Sequence, residues 1–494
     1  MISVHACRFA LLRFVIVVAG FWAAGSAIAA EPIDIGERRE LFVDDFLIER
    51  LSGDTKQELQ IPEPKEVVFK ADAAWEGNTS GYFCVFADGD GFRMYYRGSG
   101  YGPKTEKARH PEYACLALSK DGRTWTRPEL NVFEFEGSKA NNIVWSGNSA
   151  THNFAVFKDE NPAATPEARY KAIGANGKPR AYQSADGVHW TMIADRALVS
   201  KGTFDSQNTA FWDAARNQYR MYWRINPNSV RGIRTAASAD FAKFTDEADL
   251  VYPGKPTQDD LPYLDRVQLY TNAVQTYARA PHLFIGFPTQ YVQKTKDKPA
   301  RFNQTQPLFM SSRDGAAFQR WDQPVIPTSA PQDRDGNRGN YMAWGLLQLP
   351  GDERELSVYA TEGNRQYGDT RVRRFTYRTD GFVGVVAGKP GGELLTKPLA
   401  AAGHQLTVNY RASAGGSLRV ELQDAEGRPL QGFRAEDCEP LTGDEIDAPV
   451  RWKANATPNG AAPFRIRYVL ENATLYAMKF SSKAASRSPR RAKN

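Results

Sequence analysis

Cysteine is scarce in this chain of 494 residues, with four in all. Cys7 sits in an N-terminal leader, so a processed chain keeps Cys84, Cys115 and Cys438, too few for a disulfide framework. Cys84 and Cys115 fall on what read as the first and third strands of one antiparallel unit, and buried free thiols are expected. Helical periodicity of useful length is missing throughout, which leaves an all-β chain. After the leader no apolar run is long enough to span a bilayer. A basic excess is also lacking where it would matter. Without the leader arginines and the five basic residues from Lys483 onward, the formal charge of +6 becomes 56 basic against 57 acidic residues, so nucleic acid is excluded as a partner on composition.

The leader itself has Arg8 and Arg13 before an apolar run from Phe14 to Trp22, then small residues ending Ala27-Ile-Ala-Ala30. This pattern predicts a signal peptide over 1–30 and a secreted or periplasmic protein. Gly20 and Gly25 interrupt the run, which argues against a retained anchor. At the other end, residues 481–494 lack apolar side chains beyond alanine and are expected to form a disordered basic tail.

Four copies of one short pattern are present: Ser119-Lys-Asp121-Gly122-Arg-Thr-Trp125, Ser184-Ala-Asp186-Gly187-Val-His-Trp190, Ser238-Ala-Asp240-Phe-Ala-Lys-Phe244 and Ser312-Arg-Asp314-Gly315-Ala-Ala-Phe318. In each, an alternating strand ends at Ser, a tight turn follows, and an aromatic residue anchors the return. The copies start 65, 54 and 74 residues apart, room for about four short strands per unit. A fifth unit, from Met342 to Tyr377, carries Arg378-Thr-Asp380-Gly381-Phe382 in place of the turn. The spacing predicts a five-bladed β-propeller over 31–388. Plain alternating strands after Gly388 predict a small β-sandwich over 389–480.

In a propeller the start of each innermost strand and the end of the next converge on one face. Those places are polar here: Glu76 and Asn78 with Arg97, His152 and Asn153, Asp205, Gln207 and Asn208 with Arg224, Tyr270 and Asn272, and Glu362. Glycoside hydrolysis needs two carboxyl groups, one to protonate the leaving oxygen and one to act as base or nucleophile. Asp205, Glu76 and Glu362 are the carboxylates this reading selects, and the amides, His152, the arginines and Tyr270 would hold hydroxyls. Each also has an ordinary structural explanation: Asp205 as a turn cap, Glu76 paired with Arg97, His152 as a hydrogen-bonded core residue. Asp44 and Asp45 stand inside the apolar run from Leu41 to Ile48, so they must reach the mouth or find partners, and Asp45 joins the candidate binding residues. Asp333-Arg-Asp335-Gly-Asn337 begins like a calcium loop, but its glycine is two places early and Trp344 fills the twelfth position. A solvated turn is expected there, with no metal or cofactor.

The motifs Leu41-Phe-Val-Asp-Asp45, His152-Asn-Phe154 with Asn161-Pro162, Phe204-Asp-Ser-Gln-Asn208, Arg279-Ala-Pro-His282 with Gly286-Phe-Pro288, Arg378-Thr-Asp-Gly-Phe382 and Leu475-Tyr-Ala-Met-Lys-Phe480 carry a family likeness. The chain resembles the secreted five-bladed glycoside hydrolase-like proteins of planctomycete bacteria, similar to the amino-terminal domain of glycoside hydrolase family 32. The resemblance implies a propeller with a trailing sandwich and a carbohydrate substrate. Furanosidases of this shape place an acidic residue on each of the first three blades. The chain departs from them in lacking Trp-Met-Asn-Asp-Pro, Arg-Asp-Pro and Glu-Cys signatures, and offers His152-Asn153 on the second unit. Three functions follow from these residues: an exported glycosidase, a non-catalytic carbohydrate-binding propeller, and a sialidase-like enzyme suggested by the Ser-x-Asp-Gly turns. A sialidase wants six blades and an arginine triad, which five units do not supply.

Overall fold

The computed structural model describes residues 31–102, 107–147, 149–175, 177–262, 265–292, 304–326, 339–363, 368–453 and 463–482. The leader, the Asp333–Asn337 loop and the tail from Lys483 lie outside the described residues. Within them the chain is all-β, and its helices are four short 3₁₀ turns. No helix among the described residues is long and apolar enough to cross a membrane.

Each Asp turn closes an antiparallel sheet. The first sheet runs through Gly81–Asp88, Gly91–Gly98, Tyr113–Ser119 and Ile143–Trp145, and the second through Ala155–Lys158, Tyr170–Gly174, Arg180–Ser184 and Thr191–Met192. The third holds Thr209–Asp213, Gln218–Ile225, Gly232–Ser238 and Thr245–Asp249; the fourth holds Val274–Tyr277, Ala280–Gly286, Phe309–Ser312 and Phe318–Trp321. A small sheet of Gln268–Leu269, Thr289–Val292 and Gln304–Pro307 branches beside the fourth. Glu355–Glu362 and Thr370–Arg378 form the fifth sheet, whose outer strand, Glu63–Ala71, comes from the other end of the chain.

The turns show why the pattern recurs. Asp121 Oδ1 accepts the backbone N–H groups of Arg123 and Thr124 at 2.8 and 2.7 Å, and the Ser119 hydroxyl accepts that of Gly122 at 2.8 Å. Gly122 stands at φ +70°, a left-handed conformation in which a side chain would be strained. The freed glycine carbonyl then serves the adjacent sheet. The hydroxyls of Tyr95, Tyr222 and Tyr359 donate to the carbonyls of Gly187, Gly315 and Gly122 at 2.8, 2.8 and 2.7 Å. Tyr219 reaches Asp159 and Tyr277 reaches Asp380 at 2.7 and 2.6 Å. These bonds link sheets one to two, two to three, three to four, four to five, and five back to one.

Inner segments meet as well. Residues 341–347 pair with the Glu355–Glu362 strand, and Trp344 N donates to Phe83 O while Val85 N donates to Trp344 O, at 2.9 and 2.7 Å. Gly345 makes this approach possible: a Cβ there would stand 1.9 Å from Val85 O.

The second body differs from expectation in its boundary. Val383–Thr396, Leu399–Ala401, Gln405–Asp424, Asp444–Pro449 and Phe464–Ser481 form one eight-stranded sheet together with Ile33–Gly36, Arg39–Leu41 and Ile48–Leu59. The N-terminal strands, assigned above to the propeller, therefore belong to this sheet, because strand pairing is set by tertiary contact and not by sequence adjacency. Bulges between Ala387 and Gly392 and between Ala412 and Ser417 let its long strands bend around a core that includes Leu394, Leu406, Val420, Ile466, Tyr468 and Phe480.

Candidate functional site

Strand direction puts the Asp turns and the candidate site at opposite ends of the sheets. In the first sheet Ser119 pairs with Phe92 and Ala114 with Arg97, so Arg97 leaves at the end away from the Ser119 turn. Arg224 leaves the third sheet in the same way.

At that end five of the expected residues come together. Arg224 holds the Asp205 carboxylate, which remains half exposed. The main-chain carbonyl of Asp205 accepts from the Tyr82 hydroxyl at 3.2 Å and faces His152 Nε2 at 3.1 Å. His152 Nδ1 lies 2.8 Å from Glu112, and Arg97 stands 3.5 Å from the same carboxyl group. Both imidazole nitrogens thus face acceptors. The Arg97 guanidinium lies over the Tyr82 ring at 4.7 Å, and that of Arg224 over Tyr270 at 4.8 Å. Tyr270 meets Tyr341 edge to face with centroids 5.7 Å apart. The cluster joins side chains from the first, second and third sheets to segments that flank the fourth and fifth.

Tyr82, Glu112, Arg231 and Tyr341 were not among the candidates. Tyr82 stands at φ +56°, within a bulge where the pairing register shifts between Gly81 and Cys84. A bulge re-aims a side chain, and here it turns a residue expected in a regular strand toward the mouth. Burial and the neighbouring Tyr270 push its hydroxyl well above the usual tyrosine value, against the opposing charges of Arg97 and Arg224. Glu112 precedes a strand by one residue and carries no motif. Arg231 lies over Tyr270 and Tyr291 at 5.4 and 5.0 Å.

The remaining candidates serve structure. Glu76 is buried and spent: Arg127 grips it through Nε and Nη2 at 2.9 and 2.7 Å, Tyr96 donates to it at 2.5 Å, and the N–H of Ala73 at 3.1 Å. Its guanidinium partner is thus Arg127 and not Arg97, and the carboxylate is satisfied inside the first sheet. Glu362 is 1 % exposed, with Arg373 on one oxygen and no hydrogen-bond partner on the other. Asn153 donates to the carbonyls of Phe204 and Ser206 at 2.6 and 2.5 Å and accepts from Ala175 N at 2.8 Å, which ties the second sheet to the third. Gln207 donates to Phe83 O at 3.1 Å, and Asn78 accepts from Tyr101 N at 2.9 Å. Asn272 is saturated by Thr209, Val274, Gln207 and Tyr222. Asn208 donates to Phe204 O at 3.1 Å and leaves its own buried oxygen unmatched. Asp45 is exposed in the bend between Arg39–Leu41 and Ile48–Leu59, where Lys397 donates to its carbonyl at 3.2 Å. Its neighbour Asp44 is held by Arg313 of the fourth Asp turn, at the end of the sheets opposite the mouth. Short amide and carboxylate side chains at strand starts are what buried backbone ends need, so position alone did not separate binders from braces.

Cys84, Cys115 and Cys438 are free and buried. Burial pushes the Cys84 thiol up to about 12, so it is inert at neutral pH.

No known family profile matches the chain, and no curated protein matches it. Among solved structures it is similar to a glycoside hydrolase, at 13% identity and a TM-score of 0.43 over 64% of this chain and 92% of that one. An N-acetylgalactosamine deacetylase from F. plautii, in complex with blood group B trisaccharide, is similar at 11% identity and a TM-score of 0.43, over 66% of this chain and 96% of its own. A GH32 β-fructofuranosidase from Bombyx mori is similar at 9% identity and a TM-score of 0.41, over 86% of this chain and 95% of its own.

Proposed function

We propose that this protein is an exported glycoside hydrolase whose five sheets are the blades of one propeller and whose substrate binds where Tyr82, Arg97, Glu112, His152, Asp205 and Arg224 meet. The observation that carries the reading is the convergence of two reachable carboxyl groups, an imidazole and two guanidiniums from three successive sheets. The tyrosine bonds to glycine carbonyls and aspartate carboxylates that lead from each sheet to the next support ring closure.

In this reading Glu112, with His152 against it, gives a proton to the departing glycosidic oxygen. Asp205, steadied by Arg224, acts from the other side as base toward water or as nucleophile at the anomeric carbon. Tyr82 and Tyr270 offer ring faces to the sugar. Glu76 and Glu362 are left out of the chemistry. Reducing-sugar release from a broad polysaccharide panel tests the proposal, with Asp205→Asn and Glu112→Gln beside the parent protein. Each variant is expected to lose at least a hundredfold in kcat while its Tm stays within a few degrees. Full activity in both would remove this mouth from the mechanism.

A second reading, a carbohydrate-binding propeller without catalysis, is favoured by the ion pairing of both mouth carboxylates. Glycan binding with no release on any substrate would support it.

A further inference from the structure

Arginine is matched almost everywhere in this fold. Arg127 has Glu76, Arg313 has Glu40 and Asp44, Arg374 has Glu66, Arg378 has Asp444, and Arg467 has Glu393 and Glu421. Arg220 Nε, beside the fourth Asp turn, is a buried exception, and at the mouth such exceptions gather. Arg224 is 4 % exposed, and among the described residues its Nε and Nη1 have no hydrogen-bond partner. Arg97 Nε and Arg231 Nε are likewise buried and unmatched. Among the described residues no carboxylate pairs with Arg231. Its Nη1 and its main-chain N–H both go to Gln268 Oε1, at 3.3 and 3.0 Å. That fixes the Gln268 amide with its NH₂ turned away, and this buried donor too is unmatched.

Three guanidiniums thus gather around Tyr82 and Tyr270 against two carboxylates, Asp205 and Glu112. Leaving donors of this kind buried and unbonded costs free energy, so a binding surface that keeps them is built for an acceptor that arrives with the ligand. A neutral hydroxyl could take one bond. An anion takes several and balances the remaining charge, with charge-assisted bonds about twice as strong as neutral ones.

We infer that the mouth selects a saccharide bearing an anionic group, a carboxylate or a sulfate ester, seated on Arg231, Gln268 and the free edge of Arg224. The inference rests on the glycan-binding reading above and adds the class of sugar. Asp205 takes only Nη2 of Arg224, and Glu112 pairs with His152 and Arg97, so both carboxyl groups already have partners that offset their charge.

The test is calorimetric titration of the full processed chain with matched short oligosaccharides: galacturonate against galactose oligomers, and sulfated against unsulfated galactose oligomers. At least one acidic ligand is expected to bind tenfold or more tightly than its neutral match, and to weaken as salt rises from 0.05 to 0.5 M. Preference in only the first pair identifies a carboxylate, and in only the second a sulfate. Arg231→Gln, half-buried and clear of the Asp205 and Glu112 pairs, is expected to erase the preference, so that the acidic and neutral members of each pair bind alike. Lys120→Gln, in the exposed turn at the other end of the first sheet, is expected to change nothing. Binding or cleavage of neutral ligands with no preference for acidic ones would overturn this inference and leave the hydrolase reading standing. A preference that survives Arg231→Gln would also overturn it. Binding to no saccharide at all would remove both.

Discussion

Glu76→Gln separates the two roles that a carboxylate at the start of a strand can have. The side chain is 0 % exposed and its partner Arg127 is 28 % exposed. Removing one member of a buried pair costs about 3–5 kcal/mol, because the survivor is left charged and unmatched. Here Arg127 keeps Asp72, the Lys70 carbonyl and some contact with water, which places the loss at the lower end, about 3 kcal/mol. Tyr96 can still donate to the glutamine oxygen, so little is added from that bond. At about 2 °C per kcal/mol for a large domain, Tm should fall by about 6 °C. Differential scanning calorimetry measures this directly. Addition of Arg127→Met should recover part of the loss, since removing both charges costs less than removing one. Saccharide binding and turnover per folded molecule should be unchanged. A variant with the parent's Tm and no activity would refute the reasoning and return Glu76 to the chemistry.

Two further outcomes follow from the same contacts. Glu40 is fully buried at the junction of the long sheet and the fourth Asp turn; burial alone would raise its pKa, but His282, Arg313 and Arg38 hold it down to about 2, from 4.5. A depressed carboxyl group gives its stability above the unfolded value and loses it as pH falls through the folded one, so about 3 kcal/mol should disappear between pH 4.5 and 2. Urea midpoints across that range should fall more steeply in the parent than in Glu40→Gln, and parallel slopes would contradict the assignment. Gly345→Ala should lower stability by several times the roughly 1 kcal/mol expected of Gly351→Ala, because both glycines have positive φ but only Gly345 has a carbonyl oxygen where the methyl would go. Equal Tm shifts in the two variants would mean that residues 341–347 do not meet the first sheet as described.

Much of the architecture is local and therefore legible. The Ser-x-Asp-Gly turn closes through bonds within four residues, as Ser119, Asp121 and Gly122 show, so it marks the end of a third strand wherever it occurs. Alternation then supplies the strands on either side, as in Phe92–Tyr96 and Tyr219–Trp223. Arg97, His152, Asp205, Arg224 and Tyr270 stand together because the starts and ends of inner strands share one face. The same rule also gathered Glu76, Asn153, Gln207 and Asn272, because a side chain that binds and one that braces have the same polarity and the same address in the sequence.

What divided them is pairing across long separations. Arg127 is 51 residues from Glu76 and takes it out of the mouth. Tyr82 enters the mouth only because a bulge turns it there, and Glu112 matters only because His152 lies against it from the next sheet. The same holds for the domain boundary, since Ile48–Leu59 joins Val383–Thr396 in one sheet and Glu63–Ala71 completes the sheet of Thr370–Arg378. The strands, the turns and the end of each sheet that gathers polar strand starts were legible in the sequence, since those depend on neighbours in the chain. Which charges meet was not legible there, because burial and hydrogen bonding are satisfied by whatever residue arrives in space.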